Sequence, residues 1–166
     1  MKVVFDSNIL IAALLFPGGR ADAAVANILD GVDDLAISPP IINEVLSVLA
    51  SKFSRDKEEL SRVAVVLGEM GEIVEPFRRL FVFRDDPDNR ILECAVEGKA
   101  EVIVTGDKAM LAIGEYEGIR LITLADYLHG NLSGRRVSGA GSTFPTRHTA
   151  RRCFRSPQRQ RNGSTS

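Results

Sequence analysis

A chain of 166 residues is long enough to form one domain with a substantial hydrophobic core. Its composition, 45% hydrophobic and 26% charged, is typical of a globular protein and argues against a disordered chain. The two cysteines, Cys94 and Cys153, are too far apart in sequence for a metal-binding pair, and no stretch approaches the ~20 apolar residues of a membrane span. We therefore expect a cytoplasmic protein that does not enter a membrane.

The elements alternate along the chain between strand-like and helix-like segments. The strands are predicted from short apolar runs rich in β-branched residues, which are typical of strands covered on both faces. They are Val3–Phe5, Leu35–Ile37, either Ile73–Val74 or Leu80–Phe83, Val102–Val104 and Arg120–Ile122. Helical patterns lie between them at Ile9–Leu15, Ala21–Leu29, residues 40–53, residues 60–70 and from residue 88 or 89 onward. This order predicts an α/β domain, a three-layer α/β/α sandwich around a mostly parallel sheet of about five strands.

The net charge of −1 conceals an uneven distribution between the body and the end of the chain. Eight arginines and no acid follow His129, so the rest of the chain carries 13 basic residues against all 22 acids. Residues 133–166 are dense in Ser, Gly, Arg and Pro and have little apolar periodicity, which predicts a disordered basic tail after a domain of residues 1–132. The tail either attracts RNA through phosphate contacts or is an extension without selected function.

An aspartate interrupts the apolar start of the chain. Asp6 lies between a predicted strand and a predicted helix in VVFDSNILIAALL. A buried carboxylate must be paired, hydrogen-bonded or bound to a cation. The end of a strand in an open parallel sheet is also where ligands bind.

Three further acids occupy comparable places, and each has an ordinary structural alternative. Glu44 falls just outside the apolar sector of its helix, where it either reaches into a cleft or is a boundary glutamate. Asp88 begins a predicted helix and Asp107 follows a strand, so both are also candidate helix caps. We expect Gly106 to relieve the turn before Asp107, and we expect Asp85 and Asp86 to belong to the incoming loop because Pro87 favours extended geometry before it.

Four carboxylates at one edge of a sheet would repel one another unless their pKa values rise or cations bind. Oxygen ligands without His or Cys favour Mg²⁺ or Mn²⁺. A carboxylate-held pair of such ions is the usual arrangement for hydrolysing phosphodiesters. The pattern therefore predicts a metal-dependent phosphodiesterase, with no histidine base required.

In four segments the sequence resembles the PIN-domain family. They are VVFDSNILIAAL, INEVL, DPDNRILECA and IVTGDK, in the family's order over roughly residues 1–130. The resemblance is strongest to the VapC-like toxins of bacterial and archaeal toxin–antitoxin pairs. It implies a Mg²⁺- or Mn²⁺-dependent ribonuclease, RNA as substrate, a cognate antitoxin and a homodimer. Ala109 departs from the polar residue that relatives often carry there.

The resemblance assigns roles to seven residues. It places the catalytic, metal-binding acids at Asp6, Glu44, Asp88 and Asp107. Ser7 matches a hydroxyl residue after the first acid, Asn8 fits a supporting position that is also a helix cap, and Thr105 fits a supporting hydroxyl before the last acid.

Other functions remain open from the sequence. An inactive PIN-like module that binds RNA or protein would keep the fold without the reaction. An aspartate-based phosphatase needs a second acid where this chain has Asn8, and a phosphoaccepting receiver domain would use Lys108 but needs paired acids after the first strand.

Overall fold

The computed structural model describes residues 1–130. The proposed basic tail and the boundary at residues 132 and 133 lie outside the described residues, as does Cys153. Within residues 1–130, Cys94 is a buried free thiol.

Six strands form one mixed sheet in the described part of the chain. They are β1 (Lys2–Phe5), β2 (Asp34–Ile37), β3 (Glu72–Ile73), β4 (Val102–Val104), β5 (Glu115–Tyr116) and β6 (Ile119–Ile122). Their order is β3-β2-β1-β4-β6-β5, and every pairing is parallel except the β5–β6 hairpin. The predicted mostly parallel sheet is confirmed, with one short strand more than expected.

Seven helices accompany the sheet within the same residues. They are α1 (Ser7–Leu15), α2 (Arg20–Leu29), α3 (Pro39–Phe53), α4 (Lys57–Met70), α5 (Asp86–Glu97), α6 (Lys108–Ile113) and α7 (Leu124–His129). The last three residues of β1 and all three of β4 are buried, although successive side chains point to opposite faces of a strand. The sheet is therefore covered on both faces, as the three-layer arrangement requires.

The structure decides between the two alternatives for the third strand. Ile73 lies in β3 (Glu72–Ile73), whereas Leu80–Phe83 is not a strand, because side chains of α5 rather than a neighbouring strand bind its backbone N–H groups. The predicted start of the next helix is wrong: α5 begins at Asp86, not at residue 88 or 89, so Asp86 belongs to the helix and not to the incoming loop. Pro87 lies in the first turn, where its missing N–H needs no partner.

The chain reverses direction across the sheet at its centre. From β1 it proceeds outward through β2 to β3, and then returns to place β4 on the other side of β1. The backbone N–H of Asp6, just past β1, donates to the carbonyl of Val104 at the end of β4 (3.0 Å). This is a topological switch point, where the carboxyl ends of two neighbouring parallel strands leave a crevice.

No single helix among residues 1–130 is long and apolar enough to cross a membrane. The helices α1 and α2 reach that length and composition only when they are taken together, and the chain bends by 101° between them.

Candidate active site

Asp6 and Asp107 lie at the two sides of the switch point and are joined by one hydroxyl. Asp6 is only 4% exposed, and its Oδ2 accepts a hydrogen bond from the Thr105 hydroxyl at 2.6 Å. The Thr105 oxygen in turn accepts from the backbone N–H of Asp107 at 3.0 Å. Thr105 is itself fully buried. The predicted supporting role of Thr105 thus corresponds to a bridge between the loop after β1 and the loop after β4.

Both aspartates also cap helices. Asp6 Oδ1 accepts from the Asn8 N–H (3.1 Å) at the start of α1, and Asp107 Oδ1 accepts from the Met110 N–H (2.9 Å) at the start of α6. A carboxylate offers about four acceptor sites on its two oxygens, so these bonds leave acceptor capacity on both side chains. Capping and ligand binding are therefore compatible, and the cap holds each carboxylate at a fixed orientation.

Asp88 completes a group of three acids at this edge. It lies in the first turn of α5 and is half-buried, but it is not the helix cap, which is Asp85. The pKa of Asp88 is raised to about 6, mainly by loss of hydration and then by the negative charges of Asp107, Asp6 and Asp85. The structure therefore brings Asp6, Asp88 and Asp107 within electrostatic range of one another.

Glu44 lies on α3 and lines a cleft of about 150 Å³ whose wall includes Ser7, the residue after Asp6. The cleft is lined by Ser7, Pro40, Ile41, Glu44, Asp86, Pro87 and Arg90. Glu44 is half-buried, in agreement with a position at the edge of the apolar face. Ser7 is buried at the cleft wall, whereas Asn8 is exposed and contacts Asp6 through its backbone.

The donor set suits a hard divalent cation, but the side chains do not enclose one. All four predicted ligands are carboxylates, the type that Mg²⁺ and Mn²⁺ prefer. Within residues 1–130, however, no group of three or more His, Cys, Asp or Glu side chains is arranged to hold a single ion. The chemistry of the residues fits a metal, and binding would require the carboxylates to draw closer together.

Sequence reasoning missed three polar residues of α5 beside this site. Asn89 and Glu93 are buried, and their side chains bind the backbone of the segment that precedes α5. Arg90 lines the cleft and pairs with Asp86 (2.8 Å) and Glu93 (3.1 Å). The signal was available: Asn89 and Glu93 are four residues apart, and Glu93 lies among Ile91, Leu92, Ala95 and Val96, the apolar residues that mark the helix.

One expectation about the loop before α6 is wrong. An added Cβ at Gly106 would meet no atom within 4 Å, and its φ is not positive, so the turn does not require glycine there.

Comparison with known proteins gives three findings. The PIN domain is the family whose sequence pattern matches residues 2–109. An uncharacterized protein of Methanocaldococcus jannaschii is 31% identical over 117 residues, which cover 68% of this chain and 75% of the relative. The crystal structure of VapBC2 from Rickettsia felis bound to a DNA fragment from its promoter has a chain that matches with a TM-score of 0.54 at 16% identity, over 74% of this chain and 98% of that one. At this identity the last likeness shows a common fold.

Proposed function

Because the chain belongs to the PIN-domain family, we propose that it is a Mg²⁺- or Mn²⁺-dependent endoribonuclease that hydrolyses RNA phosphodiester bonds. The observation that carries this proposal is that Asp6 and Asp107 are joined through Thr105 at the carboxyl ends of β1 and β4 and that both charges act on Asp88 of α5. Glu44 lines a cleft together with Ser7, the neighbour of Asp6. These four acids are the catalytic, metal-binding residues of the proposal.

Side chains of this protein fix the relative position of the carboxylates and provide groups that can contact the substrate. Thr105 fixes Asp6 relative to Asp107 through its two hydrogen bonds, so the two loops behave as one unit. Ser7 and Arg90 line the same cleft, where a hydroxyl and a guanidinium can contact phosphate oxygens. A divalent cation held by the carboxylates would supply the Lewis acidity that activates water and stabilises the departing oxygen.

We further propose that the protein is the toxin of a toxin–antitoxin pair in the cytoplasm. The support is the fold that it has in common with a chain of the VapBC2 complex, together with the sequence resemblance to VapC-like toxins. A co-expressed antitoxin would restrain the nuclease, and the toxin would form a homodimer.

Single-turnover cleavage of RNA tests the nuclease proposal. Cleavage should disappear with chelator and return with excess Mn²⁺ or Mg²⁺, and Asp6→Asn, Glu44→Gln, Asp88→Asn and Asp107→Asn should each lower the rate at least ~100-fold. Ser7→Ala should reduce the rate less, and Asp85→Asn is the matched control because Asp85 occupies the N-cap position of α5 but its side chain makes no capping hydrogen bond. Cleavage that resists chelator, or a loss confined to Asp85→Asn, would contradict the proposal.

A PIN-like module without catalysis is the alternative, and one observation favours it: the carboxylates of residues 1–130 do not enclose an ion. Such a module would bind RNA or a partner protein with the same affinity in the presence and absence of metal. It would show no metal-dependent cleavage in the assay above.

A further inference from the structure

The carboxylate of Glu93 is buried in α5, although it is not one of the four acids of the proposed metal centre. Glu93 is 3% exposed, and the residues on either side of it in the helix are fully buried. A bare carboxylate in such surroundings is very costly, so it has to be paired and hydrogen-bonded. Its Oε1 accepts the Leu80 N–H at 2.7 Å, and its Oε2 lies 3.1 Å from Arg90 Nη1.

Arg90 is the cation that neutralises Glu93. The side chain of Arg90 is 11% exposed, whereas that of Arg79, the other cation near Glu93, is 66% exposed and 3.7 Å away. Arg90 Nη2 also pairs with Asp86 Oδ1 at 2.8 Å, but Asp86 is 73% exposed, and solvent weakens a pair with an exposed partner. The buried carboxylate of Glu93 is therefore the group that holds the charge of Arg90.

One nitrogen of the Arg90 guanidinium has no hydrogen-bond acceptor within residues 1–130. Nη1 is buried, and although it lies 3.1 Å from Glu93 Oε2, the two groups are not aligned for a hydrogen bond. A buried N–H donor without an acceptor costs free energy, so Nη1 would bind an acceptor that came within reach. The interaction with Glu93 is thus a charge pair that leaves donors of Arg90 available to a second carboxylate.

Glu44 is such a carboxylate. The helices α3 and α5 pack against each other, and Glu44 of α3 and Arg90 of α5 line the same cleft. The Glu44 side chain is half-buried and has no hydrogen bond or ion pair with any of residues 1–130. If the charge of Arg90 were not already neutralised, the guanidinium and this unpaired carboxylate would attract each other across the cleft.

We propose that Glu93 is a positioning residue: its charge neutralises Arg90 and keeps the guanidinium from pairing with Glu44, so that Glu44 stays available to a divalent cation. The inference rests on the proposed function, in which Glu44 is a metal ligand, and adds a residue that acts on the centre without touching it. Without the charge of Glu93, Arg90 would occupy Glu44 and bring a positive charge to the metal centre. Both effects oppose the binding of a cation.

Mn²⁺ titrations of the melting temperature test the proposal, because the concentration dependence of the rise gives the Kd of the ion whatever the stability of the metal-free variant. Glu93→Gln keeps the shape and the acceptor for the Leu80 N–H but removes the charge, and it should raise the Kd of Mn²⁺ about 10-fold or more. The double variant Glu93→Gln/Arg90→Gln lacks the cation as well and should bind Mn²⁺ as tightly as the wild type.

Glu93→Asp separates the charge of the side chain from its fit. It keeps the charge but shortens the side chain, so the free energy of unfolding should fall while the Kd of Mn²⁺ stays near that of the wild type. A residue with a structural role alone would make Glu93→Asp at least as harmful as Glu93→Gln. Arg79→Gln is the matched control, because it removes the exposed cation beside the same carboxylate and should leave the Kd unchanged.

Urea denaturation in EDTA tests the competing ion pair without metal. In the wild type, Glu44→Gln should change the unfolding equilibrium little, because Glu44 is unpaired within residues 1–130. In Glu93→Gln, the same change removes the new partner of Arg90 and should increase the unfolding equilibrium constant by about 5-fold, which a double-mutant cycle measures.

Several results would overturn the proposal. These are an unchanged Kd in Glu93→Gln, an equal loss of affinity in Glu93→Asp, no recovery in the double variant, or additive effects of Glu44→Gln and Glu93→Gln in EDTA. Loss of folding in Glu93→Gln that the double variant does not restore would likewise assign Glu93 a structural role alone. The nuclease proposal fails by a different result, a wild type whose melting temperature does not respond to Mn²⁺; the cycle in EDTA still decides whether Glu93 keeps Arg90 from Glu44.

Discussion

The Thr105 hydroxyl is the smallest group on which the geometry of the site depends. It donates to Asp6 and accepts from the backbone of Asp107, and it connects the loops that follow β1 and β4. Because Thr105 is fully buried, water cannot replace either bond if the hydroxyl is removed.

Thr105→Val should therefore lower the free energy of unfolding by about 1–3 kcal/mol, the cost of leaving buried polar groups unpaired. The rate of RNA cleavage should also fall, because Asp6 and Asp107 lose their common anchor. Urea denaturation and single-turnover kinetics measure the two effects. Thr105→Ser keeps the hydroxyl and should retain most of the activity; full stability and activity in Thr105→Val, or a loss confined to Thr105→Ser, would show that the methyl group matters and the bridge does not.

The raised pKa of Asp88 makes a prediction about pH in the metal-free protein. Its folded pKa of about 6 exceeds the ordinary value of 3.8, so between these values the folded state binds the proton more tightly than the unfolded state does. The contribution to stability is complete below pH 3.8 and is lost as pH rises through 6. Because Asp88 keeps partial contact with solvent, the loss should be on the order of 1 kcal/mol.

Urea denaturation in EDTA between pH 4 and pH 7 measures this change. Relative to Asp88→Asn, the wild type should lose stability as pH rises across that range. If the free energy of unfolding depends on pH identically in the two proteins, the pKa of Asp88 is not raised in the folded state.

At the scale of elements, α5 organises the site from one side. Its first turn carries Asp88, followed by Asn89 and Glu93. The side chains of Asn89 and Glu93 accept hydrogen bonds from the backbone of residues 80–83, where a neighbouring strand would do so in a sheet. One helix thus positions Asp88 and fixes the segment that precedes the helix.

Asn89→Ala should detach residues 82 and 83 from α5. Removal of the amide leaves the N–H groups of Val82 and Phe83 and the Phe83 carbonyl without their partner, which should cost about 2–4 kcal/mol. Hydrogen exchange of the Val82 and Phe83 amides should accelerate, and denaturation should show the loss of stability. Asn43→Ala, an exposed position on α3, is the matched control and should change neither quantity; unchanged exchange in Asn89→Ala would refute the anchoring role.

Sequence patterns predicted those elements whose signal is local. The β-branched runs at β1 and β4 predicted where these strands end. Asp6 and Asp107 were identified as candidate site residues because they follow those strand ends. The sequence could not decide between Ile73–Val74 and Leu80–Phe83 as the third strand, because the partners of Leu80 and Val82 lie 13 and 7 residues away on α5, beyond the reach of period-2 patterning. The strand β5 was not predicted because a strand of two residues is too short to show an alternating pattern. It forms because a tight turn with positive φ at Glu117 and Gly118 lets it pair with β6.

In the molecule as a whole, the last described helix, α7, is attached to the central strand β1. The ring of Tyr127 on α7 packs edge-on against Phe5 of β1 with centroids 5.5 Å apart, and its hydroxyl donates to Asp33 at 2.8 Å. The last described helix is therefore fixed to the centre of the sheet.

A chain that ends after Leu132 should fold with an unchanged melting temperature. If the eight arginines of the removed segment contact RNA, affinity for RNA should fall and depend less on salt, because each phosphate contact releases counterions; unchanged affinity would indicate an extension without selected function. Thermal melting and anisotropy at several salt concentrations measure both effects. An unfolded or insoluble product would show that residues beyond 132 pack on the domain.

The central claim is that four carboxylates hold one divalent-metal centre, and a Mn²⁺ titration of thermal stability tests it most directly. An ion that binds only the folded state stabilises it by mass action, by about 2.7 kcal/mol at a concentration 100 times the Kd. Mn²⁺ should raise the melting temperature of the wild type and of Asp85→Asn. Most of that rise should be absent in Asp6→Asn, Glu44→Gln, Asp88→Asn and Asp107→Asn, whatever their melting temperature without metal. A rise that persists undiminished in these four variants, or no rise in the wild type, would contradict this claim.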